Sequence, residues 1–337
     1  MPVIESSFKP GALLRNGHIQ TILPYLYPRR NRVPFERERK ELNDGDFLDL
    51  DWLRTGRSRL AIITHGLEGS SESAYVHNTS ATLRDAGWDV LAWNFRGCSG
   101  EPNRLLRYYH SGDSADLRLV INHAAGSYQE IALVGFSMGG NMTMKYLGEA
   151  PPHPSVKAAV GISVPVDLAA CSKALDTRWD NVVYTRRFLK SLKAKIIGKA
   201  RQFPGRLDIT GIEKIRTFLE FDDRYSAPIH GFIDSADYYG WANSLQFLDR
   251  IKIPTLILSA QNDPFLTPGS FPFGIAEQSE FLFLEAPKSG GHVGFFQGPA
   301  KVKSWYEQRA VEFLSAMPSC IVPSPSLCHW RGNLDRA

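Results

Sequence analysis

From residue 60 onward the chain alternates short apolar runs with stretches of helical period. Residues 60–64, 90–93, 131–135, 156–163, 254–260 and 280–285 are apolar runs of strand length, and residues 73–86, 113–125, 138–149 and 300–316 read as helices between or after them. Strands alternating with helices predict crossover connections, hence an α/β fold with a mainly parallel, doubly wound sheet. Such a sheet is covered on both faces, which explains runs that lack polar alternation. Ahead of it, residues 37–42 and 47–53 partly alternate around Asn43, Asp44, Gly45 and Asp46, a hairpin-turn composition, so the sheet opens with antiparallel strands.

Two regions break this rhythm. Residues 1–36 carry prolines at 2, 10, 24, 28 and 34 and no sustained period, which predicts an arm of coil and short helical pieces. Residues 167–250 contain no convincing core strand, and the stretches 179–200, 211–221 and 235–248 look helical, so this interval is expected to be a helical cap inserted between two sheet strands. The core is then 37–166 with 251–317. The proline-containing tail, 318–337, lacks periodicity and is expected to be peripheral.

Two glycines around a serine bring chemistry into this plan. The apolar run at 131–134 leads into Gly135-Phe136-Ser137-Met138-Gly139, a G-x-S-x-G pattern. The expected geometry is a strand ending at Phe136, a sharp turn with Ser137 at its apex and a helix starting at once, with the Met138 N–H free to donate. A serine hydroxyl is a poor nucleophile and needs a base that is itself oriented. Asp263 follows the strand at 254–260, and His292 lies in a Gly-Gly-His loop after the last strand. All three therefore fall at carboxyl ends of strands, in the order Ser, Asp, His that characterises the α/β-hydrolase fold. The second oxyanion donor is expected from the loop after the strand at 60–64, where Gly66 gives room and Leu67 supplies the N–H. Phe136, Phe265 and Phe295 flank this triad and are candidates for an apolar substrate site. A histidine base predicts that any activity of the serine falls below about pH 6.

Composition narrows the alternatives. With 39 basic and 35 acidic residues the net charge of +4 demands no nucleic acid or anionic membrane as partner. Cys98, Cys171, Cys320 and Cys328 are dispersed and no H-E-x-x-H pattern occurs, so no metal and no cofactor is expected. No run approaches the roughly 20 apolar residues of a membrane span, and the first residues lack a secretion signal, so a cytoplasmic protein is expected. The basic amphipathic stretch 186–199 reads as a solvated helix face with its apolar stripe on the core, in preference to a lipid-binding surface. The serine in Gly97-Cys98-Ser99-Gly100 reads as part of a structural loop, and His18, His65 and His110 are further histidines within reach of a site.

These features together resemble the YheT-like branch of the α/β-hydrolase superfamily, which includes bacterial esterases, yeast ethyl ester synthase/esterases and animal lipid hydrolases. The resemblance spans nearly the whole chain and rests on N-G-H-I-Q-T at 16–21, H-G-L-E-G at 65–69, N-F-R-G-C-S-G-E-P-N at 94–103, Y-H-S-G at 109–112, G-F-S-M-G-G-N at 135–141, N-D-P-F at 262–265 and G-H at 291–292. It implies a carboxylic ester hydrolase acting through Ser137, Asp263 and His292 on a small-molecule ester of short or medium acyl chain. Asn262 stands where relatives of that branch carry a second acid. Acyl transfer to an alcohol by the same triad, and a non-catalytic ligand-binding protein on the same fold, are the alternatives, and the oligomeric state is left open.

Overall fold

Successive residues of each central strand point into two different cores. Leu60 and Ile62 join one apolar cluster while Ala61 and Ile63 join the other, and Ile131 and Leu133 separate in the same way from Ala132, Val134 and Phe136. This two-sided burial is why these strands read as unbroken apolar runs. The computed structural model describes residues 2–26, 31–298 and 304–316.

Nine strands form one sheet among the described residues: β1 (Val3–Ile4), β2 (Glu36–Glu41), β3 (Phe47–Leu53), β4 (Arg59–Thr64), β5 (Asp89–Trp93), β6 (Glu130–Phe136), β7 (Val156–Ile162), β8 (Thr255–Leu258) and β9 (Leu282–Glu285). Their order is β1-β9-β8-β7-β6-β4-β5-β3-β2. β2 and β3 pair antiparallel, as do β3 and β5, and the other neighbours are parallel. The hairpin is held by two cross-strand ion pairs in direct register, Arg37 with Asp51 and Arg39 with Asp49, both with 2.8 Å contacts.

From β4 the chain steps outward to β5, then returns to place β6 on the other side of β4. At such a switch point the loops leaving the two strands diverge and open a crevice at their carboxyl ends. Helices α1 (Gly17–Leu26), α2 (Ala74–Asp85), α3 (Ser114–Ala125) and α4 (Met138–Glu149) belong to the first half of the chain. Between β7 and β8 no strand intervenes among the described residues; α5 (Leu168–Thr177), α6 (Val182–Gln202), the short α7 (Phe218–Phe221) and α8 (Ala227–Ile229) around a π-helical turn, and α9 (Ser235–Ala242) fill the interval. Helices α10 (Phe273–Gln278) and α11 (Trp305–Ala316) complete the fold.

Three expectations need amending. The arm is more ordered than its prolines suggest, because β1 adds a parallel edge strand to β9 and α1 spans ten residues with Pro24 inside it. Helix α5 lies where no helix was expected. The basic face of α6 is only partly solvated. Lys195 pairs with Glu68 at 2.7 Å, and buried Lys199 donates to the carbonyls of Asn103 and Leu105, its ammonium pushed down to about 8 by burial. The expected tail at 318–337, residues 300–303 of the last expected helix, and Cys320 and Cys328 lie outside the described residues.

Candidate active site

Ser137 has φ 52° and ψ −120°, a backbone conformation that a non-glycine residue adopts only under constraint, at a cost of about 1–3 kcal/mol. The constraint is visible on both sides. A Cβ at Gly135 would lie 2.6 Å from the Gly139 carbonyl oxygen, and a Cβ at Gly139 would lie 2.3 Å from that of His65. Both glycines of the pattern are therefore required by the close approach of α4 to the ends of β6 and β4. The Ser137 N–H donates to Ile162 O at 2.9 Å and its carbonyl accepts from Asn141 N at 3.0 Å, so the elbow is tied to β7 and to its own helix.

The three sequence-derived residues meet at this elbow. His292 Nδ1 stands 2.7 Å from Asp263 Oδ2, and His292 Nε2 stands 2.9 Å from Ser137 Oγ. An ionised carboxylate only accepts, so Nδ1 carries the proton and Nε2 is left to accept from the serine hydroxyl. Asp263 is fully buried, and its other oxygen accepts from the Phe265 N–H at 2.9 Å. The Phe265 ring packs on the imidazole with centroids 4.3 Å apart, excluding water from that side.

Gly66 brings the β4 loop against the serine, since a Cβ there would lie 3.3 Å from Ser137 Cβ. Tyr75 Oη accepts from the Gly66 N–H at 2.9 Å and Tyr109 Oη from the Glu68 N–H at 3.2 Å. Between these two anchors, among the described residues, no acceptor takes the N–H of Leu67, and none takes that of Met138 at the start of α4. The loop is fixed from above by Glu68, which Lys195 of α6 holds below the usual carboxylate range despite burial.

Two cavities open from Ser137, and Leu67, Phe188, Phe265 and His292 border both. The inner one, about 120 Å³, runs past Met138 beneath α5 to α9 and is lined by apolar side chains such as Leu168, Leu175 and Leu192, with Asp222 and Tyr239 at its wall. The outer one, about 680 Å³, lies between α1 and α6 and includes Thr21, Val293 and Phe296 around the histidine loop.

The aromatic candidates separate. Phe265 borders both cavities; Phe136 lies under the serine with its ring against Tyr75 and Tyr306 and reaches only the outer one. Phe295 is not at the site. Its φ of 57° turns the ring into the core, where it packs on Phe8, Trp305 and Tyr306. The other histidines are elsewhere engaged: His65 Nε2 accepts from the Phe95 N–H, and burial pushes its imidazole down to about 4; His110 borders the inner cavity within a cluster of Phe232, Tyr238 and Trp241 and is pushed well down by burial; His18 contacts Tyr184 and Asp180. Thr21, whose hydroxyl accepts the His292 N–H at 2.9 Å, carried no chemical signal in the sequence beyond its place in the N-G-H-I-Q-T stretch. Among the described residues no group of three metal-ligating side chains converges, and no helix is long and apolar enough to cross a membrane.

Sheet order, strand-end elbow and crevice define a hydrolase of the α/β class, and the model of the alpha/beta hydrolase fold family matches residues 62–299. The chain belongs to that family. Within it, the chain is 37% identical over 323 residues to "Putative esterase YheT" of Escherichia coli K12, covering 92% of this chain and 94% of the relative. It is 26% identical over 328 residues to "Phospholipase ABHD3" of Homo sapiens, covering 94% of this chain and 80% of the relative. Among solved structures, the Pyrococcus furiosus esterase PF2001 superposes with a TM-score of 0.57 at 17% identity, over 94% of this chain and 100% of that one, a likeness of fold.

Proposed function

We propose that the protein is a serine carboxylic ester hydrolase that works through an acyl-enzyme. The observation that carries the reading is the continuous hydrogen-bonded line from Ser137 Oγ through His292 to buried Asp263. In this reading Ser137 attacks the ester carbonyl while His292 Nε2 takes its proton, and Asp263 stabilises the imidazolium. The N–H groups of Leu67 and Met138 receive the oxyanion, each worth about a hundred- to a thousandfold in rate. His292 then protonates the departing alkoxide, and a water molecule activated by the same imidazole releases the acid.

The cavities support an assignment of the two halves of the ester. The leaving alcohol must receive its proton from His292, and Thr21 and Val293, which contact or adjoin His292, border only the outer groove, so the alcohol is assigned to it. The acyl chain lies in the smaller inner cavity beside Met138, which favours small to medium chains. In this scheme the helices at 167–250 act as the cap that bounds the acyl site. The names of the relatives, an esterase and a phospholipase, agree with an ester substrate.

Fluorophosphonate labelling together with p-nitrophenyl ester cleavage tests the reading. The wild type is expected to be labelled at Ser137 and to cleave a butyrate ester, and Ser137→Ala to lose both. Equal labelling of the two proteins refutes it. Product ratios in water and ethanol separate hydrolysis from acyl transfer.

A further inference from the structure

The stretch Asn16 to Thr21 supplies nothing to the chemistry above, yet Gln20, Thr21 and the backbone at Gly17 converge on the loops that carry Asp263 and His292. Thr21 Oγ1 donates to Gly17 O at 2.7 Å and accepts the His292 N–H at 2.9 Å. Gln20 is fully buried; its amide donates to Leu14 O and Phe296 O at 2.7 and 2.9 Å, while its oxygen accepts from the Phe296 N–H at 2.8 Å. Asn262, beside Asp263, donates to Arg15 O at 2.7 Å and accepts from the Gly291 N–H at 3.2 Å. Backbone meets backbone where side chains would collide: a Cβ at Gly17 would lie 2.0 Å from Asn262 O, and one at Gly291 2.4 Å from Gly17 O.

The loop gripped in this way is one that does not hold its shape alone. Gly291, Val293 and Phe295 have φ of 63°, 55° and 57°, and for a β-branched and an aromatic residue that region is strained. Three alternate residues in it mean that the loop is bent against its own preferences, with His292 between two of them. The restraint comes from Thr21 and Gln20 on one side and from Ser163 on the other, whose Oγ accepts the Val293 N–H at 2.9 Å. The arm is in turn anchored: Asn16 Oδ1 caps α1 by accepting from the N–H groups of His18 and Ile19, and His18 reaches Tyr184 of α6 and Asp180 just ahead of it.

We propose that Asn16 to Thr21 is a positioning clamp for the base, in which Thr21 and Gln20 set the placement of His292 Nε2 against Ser137 Oγ. The inference rests on the ester hydrolase reading for its catalytic consequence. Thr21 and Gln20 are positioning residues and touch no reacting atom. Misplacement of a reacting group by about 1 Å costs on the order of a hundredfold. Removing one of several restraints therefore lowers kcat by about ten- to a hundredfold, while a substitution that keeps the shape of Thr21, which borders the outer cavity, leaves KM nearly unchanged.

The test compares Thr21→Val, which keeps the side-chain shape and deletes both the acceptor for the His292 N–H and the donor to Gly17 O, with Thr21→Ser, which restores them. Three readouts on the full chain are taken: kcat and KM on p-nitrophenyl butyrate, the rate of fluorophosphonate labelling, and the His292 ring resonances by NMR as a function of pH. Thr21→Val is expected to lose kcat and labelling rate in parallel, keep KM within about twofold and shift the His292 resonances, and Thr21→Ser to recover all three. Wild-type kcat with unmoved His292 resonances in Thr21→Val overturns the clamp, as does a loss that Thr21→Ser fails to restore. A wild-type protein that neither cleaves the ester nor takes the label refutes the ester hydrolase reading instead, and the His292 resonances still decide the clamp.

Discussion

Asp222 offers a prediction in which structure, charge and stability can be set against one another. Its carboxylate is buried at the wall of the inner cavity, where Oδ1 accepts from Ser226 Oγ and Oδ2 from Tyr239 Oη, both at 2.5 Å, and no lysine or arginine pairs with it among the described residues. Burial raises the carboxyl from 3.8 to about 6, aided by the nearby charges of Asp176 and Asp223 and opposed by the two hydroxyl donors. A folded-state value above the unfolded one means that the folded protein holds the proton more tightly. Its contribution to stability is therefore complete below about pH 4, declines as the pH rises, and is lost above about 6. A displacement of about two units corresponds to roughly 3 kcal/mol between these limits. Asp222→Asn keeps the shape without the charge, and the Ser226 and Tyr239 hydroxyls can turn to suit the amide. We expect it to be more stable than wild type by about 1–3 kcal/mol at pH 8, with most of the gain gone at pH 4.5. Urea denaturation of both proteins at the two pH values measures the double difference. An equal gap at both, or a variant less stable at pH 8, refutes the argument that an unpaired buried charge burdens this site.

Two further substitutions probe the acyl site and the core. Leu175→Trp narrows the inner cavity and should depress kcat/KM for a hexanoate ester at least about tenfold more than for an acetate; an unchanged ratio removes the inner cavity as the acyl site. Arg96 is buried and bonds both oxygens of Asp116, at 2.7 and 2.8 Å, together with Asp44 and Asp46. Arg96→Ala strands Asp116 and should cost about 3–5 kcal/mol in urea denaturation, and a loss below about 1 kcal/mol contradicts this.

The elbow was legible because its requirements are local. Gly135, Ser137 and Gly139 lie within five residues, and an apolar run before and a helix after them fix what the turn must be. Asp263 and His292 were legible for a related reason: each follows a strand, and strands of a parallel sheet deliver their ends to one side. Phe295 was not, because a ring three residues from the histidine can face the cavity or the core, and only the loop's positive φ values decide. The partners of Lys195 and Lys199 were equally out of sight, since Glu68 and the carbonyls of Asn103 and Leu105 are about a hundred residues away in the chain. The arm's role was hidden most completely. Its hydrogen bonds to the histidine loop go to backbone groups, and backbone groups have no signature in a sequence.

The contact between Gln20 and Phe296 spans 276 residues. At a translation rate of roughly 5–20 residues per second, some 15–55 s pass between the emergence of the two halves of this joint. The serine elbow closes on nearer partners, the carbonyls of His65 and Ile162, both of which are made before His292. The histidine loop can therefore meet α1 only after all of the chain between them has been made.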